Sequence, residues 1–145
     1  MKKLHLLLSI MTAWLVVSGC NKEVIKTDVE EPDTEFMKIA DGTYVGVFTV
    51  QYSNMTKTGP VTLELNGGKF TCSGNKDRIP AGGSGYFTYY KETISFADKN
   101  VWSCDFDGNL ILTGNYNFSI KGNKIQISAA KNGVGQYEYN LEKVI

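Results

Sequence analysis

The chain has 145 residues, 15 basic and 15 acidic side chains and 42% hydrophobic residues. That is room for one modest domain, and the near-neutral balance excludes nucleic acid as a partner, because phosphate backbones are gripped by clustered positive charge. The single histidine is His5; if the leader containing it is removed, no imidazole is left for acid–base or nucleophilic catalysis, nor for the usual zinc, copper and haem sites, so neither a metal nor a cofactor is expected.

The chain opens with Lys2 and Lys3, followed by a mostly apolar run from Leu4 to Val17. That run is too short for a stable membrane-spanning helix and has the layout of a secretory signal. Its ending, Val17-Ser18-Gly19-Cys20, resembles the lipobox of bacterial lipoproteins. The resemblance implies that Cys20 is lipidated and becomes the first mature residue, that the membrane is reached through this anchor, and that residues 1–19 stand apart from the fold. With Lys2 and Lys3 gone, 13 basic residues face 15 acidic ones over residues 20–145, a net charge of −2, and Arg78 is the only arginine.

Residues 21–40 carry Glu23, Asp28, Glu30, Glu31, Asp33 and Glu35 against Lys22, Lys26 and Lys38, with Pro32 and little apolar bulk before Phe36. This composition reads as a disordered tether, with a random-coil reach of roughly 25 Å. Asn21-Lys22-Glu23 resembles the surface-export signals of lipoproteins in some Gram-negative anaerobes, and Asn21 is not the aspartate associated with inner-membrane retention in enteric lipoproteins. The implied location is the outer membrane, either exposed on the cell surface or facing inward. The organisation is thus a signal (1–19), a lipidated acidic tether (20–40) and a folded domain (41–145).

From Asp41 the hydrophobic period is two. Val61, Leu63 and Leu65 alternate with Thr62 and Glu64; Ile94 and Phe96 repeat the pattern briefly; Leu110, Leu112, Gly114, Tyr116, Phe118 and Ile120 share one face of a long run; Ile125, Ile127 and Ala129 alternate with Gln126 and Ser128; Tyr137, Tyr139 and Leu141 alternate with Glu138 and Asn140. Successive strand side chains point to opposite faces, so each run is a half-buried strand. Asn66-Gly67-Gly68, Asp107-Gly108-Asn109, Lys121-Gly122-Asn123-Lys124 and Asn132-Gly133-Val134-Gly135 supply the positive-φ residues of tight turns. About eight strands are predicted, at 43–52, 59–66, 69–73, 85–90, 92–97, 101–106 with an extension over 109–120, 124–130 and 136–144; 101–120 reads equally as one bent strand or two. Short antiparallel strands with no helical stretch predict an all-β fold, a single small up-and-down barrel, since closure leaves no free edge. Residues 41–145 hold 15 aromatics, so the interior is expected to be largely filled, with at most a small pocket at one mouth.

Several segments then fall into a set. Gly42-Thr43-Tyr44-Val45-Gly46, Gly83-Ser84-Gly85-Tyr86, Trp102, Phe106-Asp107, Leu110-Ile111-Leu112-Thr113-Gly114-Asn115-Tyr116 and Tyr139-Asn140-Leu141-Glu142-Lys143 together resemble the small lipocalin-like (calycin-like) lipoproteins of Gram-negative bacteria, over nearly all of 41–145. The resemblance implies a barrel and carries no agreed activity. Tyr44 stands where true lipocalins have the tryptophan of their Gly-x-Trp signature.

Cys72 and Cys104, with the faces of Phe70 and of Trp102 and Phe106 respectively, are expected to point inward, either as a disulfide or as two buried thiols. Without a histidine neither is an activated nucleophile. Asp105-Phe106-Asp107-Gly108-Asn109 superficially resembles the start of a calcium loop, but the twelfth position is Tyr116 rather than glutamate. The glycine-rich run 81–85 reads either as an anion cradle or as a loop at a barrel mouth. It ends a 73–85 loop, the longest irregular stretch expected, where Lys76 and Arg78, with nearby Tyr86 and Tyr90, form the candidate contact surface for a ligand or partner. Trp102 reads as core packing or as a ligand-stacking platform. The expectation is a non-enzymatic binding module for a small apolar or amphipathic ligand at the barrel mouth, with a protein-interaction or inhibitor module acting through the 73–85 loop as the alternative.

Overall fold

The computed structural model describes residues 37–131 and 133–145. The expected signal, the expected lipidation site Cys20 and the expected tether as far as residue 36 lie outside the described residues. Eight strands follow in order: β1 (Gly42–Tyr52), β2 (Thr56–Asn66), β3 (Lys69–Cys72), β4 (Gly83–Tyr90), β5 (Thr93–Asp98), β6 (Gly114–Lys121), β7 (Lys124–Lys131) and β8 (Gly135–Lys143). Each pairs antiparallel with the next, and β8 pairs with β1, so the sheet closes as the up-and-down barrel that the alternation predicts. Closure removes every unpaired edge. The closing seam sets Phe48 opposite Tyr139 and Gly46 opposite Leu141. A Cβ on Gly46 would overlap the Asn140 carbonyl oxygen, so only glycine fits this crossing.

The sixth strand departs from the expected pattern. Residues 99–113 form a loop with a single turn of 3₁₀ helix at Gly108–Leu110, and β6 starts only at Gly114. Gly114 lies at φ +88°, a conformation that interrupts an extended run. Leu110 and Leu112 keep the apolar alternation because they cross the barrel mouth and drop into it, where both are buried. The longest irregular stretch is therefore 99–113, fifteen residues between Asp98 and Gly114, rather than the ten between Cys72 and Gly83.

The strands alternate in direction, which sorts the connections onto two ends. The entry end carries residues 37–41, the C-terminus and the turns β2–β3, β4–β5 and β6–β7. The loop end carries the turns β1–β2 and β7–β8 and the long connections 73–82 and 99–113. Residues 37–40, expected within the tether, belong instead to the barrel: Ile39 is buried and joins the core.

Ten aromatic rings run through the interior as one connected network: Tyr52, Tyr137, Phe48, Tyr139, Tyr116, Phe96, Phe70, Phe87, Tyr89 and Phe118. Neighbouring centroids lie 4.7–6.4 Å apart. Tilted and edge-to-face pairs of this kind add about 0.5–1.5 kcal/mol each beyond area burial. Six interior tyrosines bring hydroxyls that need acceptors. At the entry end Tyr44 donates to the Ala40 carbonyl at 2.6 Å and Tyr89 to the Ile39 carbonyl at 3.0 Å. At the loop end Tyr52 and Tyr137 both donate to Oδ2 of Asp107 at 2.9 Å. Between them, the Tyr116 and Tyr139 hydroxyls sense one another but have no partner in hydrogen-bond geometry.

This division predicts opposite effects of the same substitution. Tyr137→Phe removes a hydrogen bond to a carboxylate and is expected to lower stability by about 1.5–3 kcal/mol, whereas Tyr139→Phe removes an unpaired buried hydroxyl and is expected to raise it by up to about 1–3 kcal/mol. Urea unfolding followed by Trp102 fluorescence measures both; an equal loss in the two variants would contradict the assignment.

Candidate functional site

The loop end gathers the chemistry. Asp107 caps the 3₁₀ turn, its Oδ1 accepting from the Asn109 backbone N–H at 2.9 Å and side-chain Nδ2 at 3.0 Å, while Oδ2 takes the two tyrosine hydroxyls. Burial alone would raise this carboxyl, but the Asn109 amide and the Tyr137 and Tyr52 hydroxyls outweigh it, and the net shift is downward. The carboxylate is the preferred state, and it joins the 99–113 loop to β1 and β8.

Lys131, the last residue of β7, closes the other side. Its Nζ donates to the Thr113 carbonyl at 2.9 Å and the Asn109 carbonyl at 3.4 Å. It also lies 4.6 Å from the Tyr116 ring centroid and 5.5 Å from that of Tyr137, in cation–π range. Burial lowers its pKa to about 8, against an opposing pull from the Asp107 charge. The loop is further tied down by Ala81 N–H to the Leu110 carbonyl at 3.0 Å and Leu112 N–H to the Gly82 carbonyl at 2.9 Å. The mouth is thus roofed by 99–113, with Leu110 and Leu112 beneath.

The residues singled out in the sequence are dispersed. Arg78 lies at the loop end, its guanidinium 2.7 Å from Asp105 and 4.5 Å from the Phe106 centroid. The Ser103 hydroxyl and then Arg78 hold the Asp105 carboxyl at about 2. Trp102 packs edge-on against Phe106 at 5.9 Å and donates Nε1–H to Asp98 at 2.7 Å, so it is a half-buried anchor of the loop. Lys76 is exposed on the neighbouring 73–82 loop. Tyr86, 52% exposed, stands on the outer wall of β4 near Lys99, and Tyr90, 72% exposed, lies at the opposite, entry end beside Lys91. The expected surface therefore separates: Arg78 and Trp102 share one cluster, while Tyr86 and Tyr90 face elsewhere.

The inward reading holds for Cys72 and is corrected for Cys104. Cys72 is buried on β3, where burial lifts its thiol to about 12. Cys104 is exposed, because residues 101–106 are loop and the strand alternation that pointed it inward does not apply. Both are free thiols. The calcium-like carboxylates are occupied, Asp105 by Arg78 and Ser103, Asp107 by the tyrosines. Among the described residues no group of three or more His, Cys, Asp or Glu side chains is placed to hold a metal. The glycine-rich run does meet an anion, namely Asp98 of its own chain, which accepts from the Ser84 N–H at 2.8 Å.

Asp107, Tyr52, Tyr137 and Lys131 were absent from the sequence-derived site. A signal for Lys131 exists: it continues the inward phase of Ile125, Ile127 and Ala129, an unusual place for an ammonium group. Tyr52 likewise ends the inward phase of Tyr44, Phe48 and Val50. The hollows lie away from this cluster, and one of about 120 Å³ sits at the entry end beside Lys38, Tyr44 and Ile125. A groove of about 350 Å³ beside Val45, Val47 and Gln126 and another of about 370 Å³ beside Glu64 and Lys69 lie outside the barrel wall.

The titrating groups fix a pH profile. Lys131 has its folded pKa near 8, below the ordinary 10.5, so between these values the unfolded chain binds the extra proton and stability rises with pH. Tyr52 and Tyr89 are pushed up to about 12 by burial, above the ordinary 10. Their contribution is complete below pH 10 and is lost as pH climbs through 12. Denaturant unfolding across pH 7–12 is expected to show a stability maximum between about pH 9 and 10, with the rising limb missing in Lys131→Met. A rising limb that survives in that variant would contradict the placement of Lys131.

Comparison with known protein families, curated proteins and solved structures finds no match to this chain.

Proposed function

We propose that this chain is a non-enzymatic binding module, held to the outer membrane by a lipid on Cys20 and either exposed on the cell surface or facing inward, that takes a small apolar or amphipathic ligand at its barrel mouth. The observation that carries this reading is the loop end. There an aromatic interior is covered by a connection and not by the barrel wall, and polar groups capable of orienting a ligand converge under that cover: Lys131, Tyr52 and Tyr137. Convergent polar groups beside an apolar interior are the ingredients of a small-molecule site. The fold alone supplies no function; the lipid anchor rests on the Val17-Ser18-Gly19-Cys20 ending.

The rival reading, a protein-interaction or inhibitor module working through the 73–85 loop, keeps the exposed Lys76 in its favour. Against it, Arg78 is held by Asp105 and Phe106 and the loop is bonded to its neighbour through Ala81 and Gly82.

Incubation with a broad lipid and metabolite extract, followed by native mass spectrometry, is expected to return the protein with an added mass of a few hundred daltons. A bare mass throughout would discard the small-ligand reading, and a co-purifying protein lost on Lys76→Ala substitution would install the rival.

A further inference from the structure

The 99–113 loop presents an acid and an apolar body to its own barrel. The Asp107 carboxylate meets hydroxyls from β1 and β8, and the Lys131 ammonium of β7 acts on it electrostatically. None of these three groups belongs to the loop: the barrel wall by itself supplies two hydroxyl donors to one carboxylate position, and a cation bonded to the nearby Asn109 and Thr113 carbonyls. Three and five residues farther on, Leu110 and Leu112 are 7% and 0% exposed and join the core cluster that contains Phe48, Tyr116 and Tyr139. Deeper still, the Tyr116 and Tyr139 hydroxyls, 1% and 0% exposed, go without hydrogen-bond partners. Buried hydroxyls in that state are the exception in folded proteins and need an explanation.

We infer that the 99–113 loop is an internal stand-in for a ligand, and that the site it fills takes an anionic amphiphile: a carboxylate head at Tyr52, Tyr137 and Lys131, and a single apolar chain in the space of Leu110 and Leu112. This rests on the proposal that the mouth takes a small ligand, and it names the ligand's chemistry. Opening is confined to the loop. It breaks the contacts of Asp107 and Lys131, the two backbone bonds of Leu110 and Leu112 with residues 81–82 and the contacts of Arg78 with Ser103, Asp105 and Phe106, and it leaves every pair of the closed sheet in place. The two unpartnered hydroxyls then line the floor of the opened site, where they can meet a ligand's polar atom or a water carried in with it. Lys131 changes partners in the same step: its protons leave the Asn109 and Thr113 carbonyls, which depart with the loop, and turn to the incoming carboxylate.

The test uses the mature chain with Cys20→Ser, which keeps every strand and needs no detergent, with decanoate and uncharged decan-1-ol as probes in titration calorimetry. Removing the competing carboxylate with Asp107→Ala is expected to tighten decanoate about ten-fold, the value of one charge-assisted hydrogen bond. Adding Lys131→Met is expected to abolish that gain and leave decan-1-ol unchanged. Asp107→Asn retains an oxygen acceptor for the Asn109 amide and serves as the second variant where the alanine form does not fold; it is expected to show the same direction. Equal binding of acid and alcohol in a folded Asp107 variant overturns the anionic assignment and leaves the apolar-ligand reading standing. Failure of both probes to bind a folded variant overturns both. Unchanged decanoate affinity between the parent and the Asp107 variants shows that the loop is not a competitor, and also overturns the inference.

Discussion

A tyrosine turned into a narrow barrel brings a hydroxyl that must find an acceptor inside or go without one. This chain turns six of them inward, and the positions of their acceptors organise both ends of the molecule. At the entry end the acceptors are the carbonyls of Ile39 and Ala40, so Tyr89 and Tyr44 fasten residues 37–41 across that opening. At the loop end the acceptor is a single carboxylate, Asp107, so Tyr52 and Tyr137 fasten the 99–113 loop across the other. Backbone closure through β1 and β8 makes the wall; the phenols make the caps.

The two caps differ in kind. The entry cap uses neutral backbone acceptors, continuous with the chain that precedes β1. The loop cap uses a charge, with a partly buried lysine set against it and two apolar side chains behind it. Charge-assisted bonds are stronger than neutral ones, but their site is also specific for a group that another molecule can carry. The wall residues that receive Asp107 come from β1 and β8, outside the loop itself. In the middle of the barrel, out of reach of either cap, Tyr116 and Tyr139 retain unpaired hydroxyls, the local conflict with polar satisfaction that functional sites tend to carry.

Much of the architecture was legible in the alternation. Strands such as Val61–Leu65 and Tyr137–Leu141 show their inward face in every second residue, and the Asn-Gly turns mark where the chain reverses. The same rule misread 101–120. Leu110 and Leu112 stay in phase with Tyr116 across Gly114, yet the first two are buried by crossing a mouth and the third by lining a wall; periodicity records burial, not the element that achieves it. Cys104 was assigned inward for the same reason. Ile39 was lost within an acidic stretch because a single apolar residue has no period. The candidate site was less legible still. Lys76, Arg78, Tyr86 and Tyr90 were chosen as exposed residue types near a loop, whereas Asp107 and Lys131 act where the fold brings β1, β7 and β8 beneath a loop from β5. Lys131 in the phase of Ile125, Ile127 and Ala129 was the one visible trace.

The measurement that bears most directly on this account is amide hydrogen–deuterium exchange of the parent and of Asp107→Ala, resolved by segment. With one carboxylate holding the loop cap, exchange is expected to accelerate across residues 107–113, while β1 and β8, secured by their own ladder, remain slow. Unchanged protection over 107–113 would show that packing of Leu110 and Leu112 alone closes the barrel. Loss of protection throughout β1 and β8 would show that Asp107 supports the wall and not the cap.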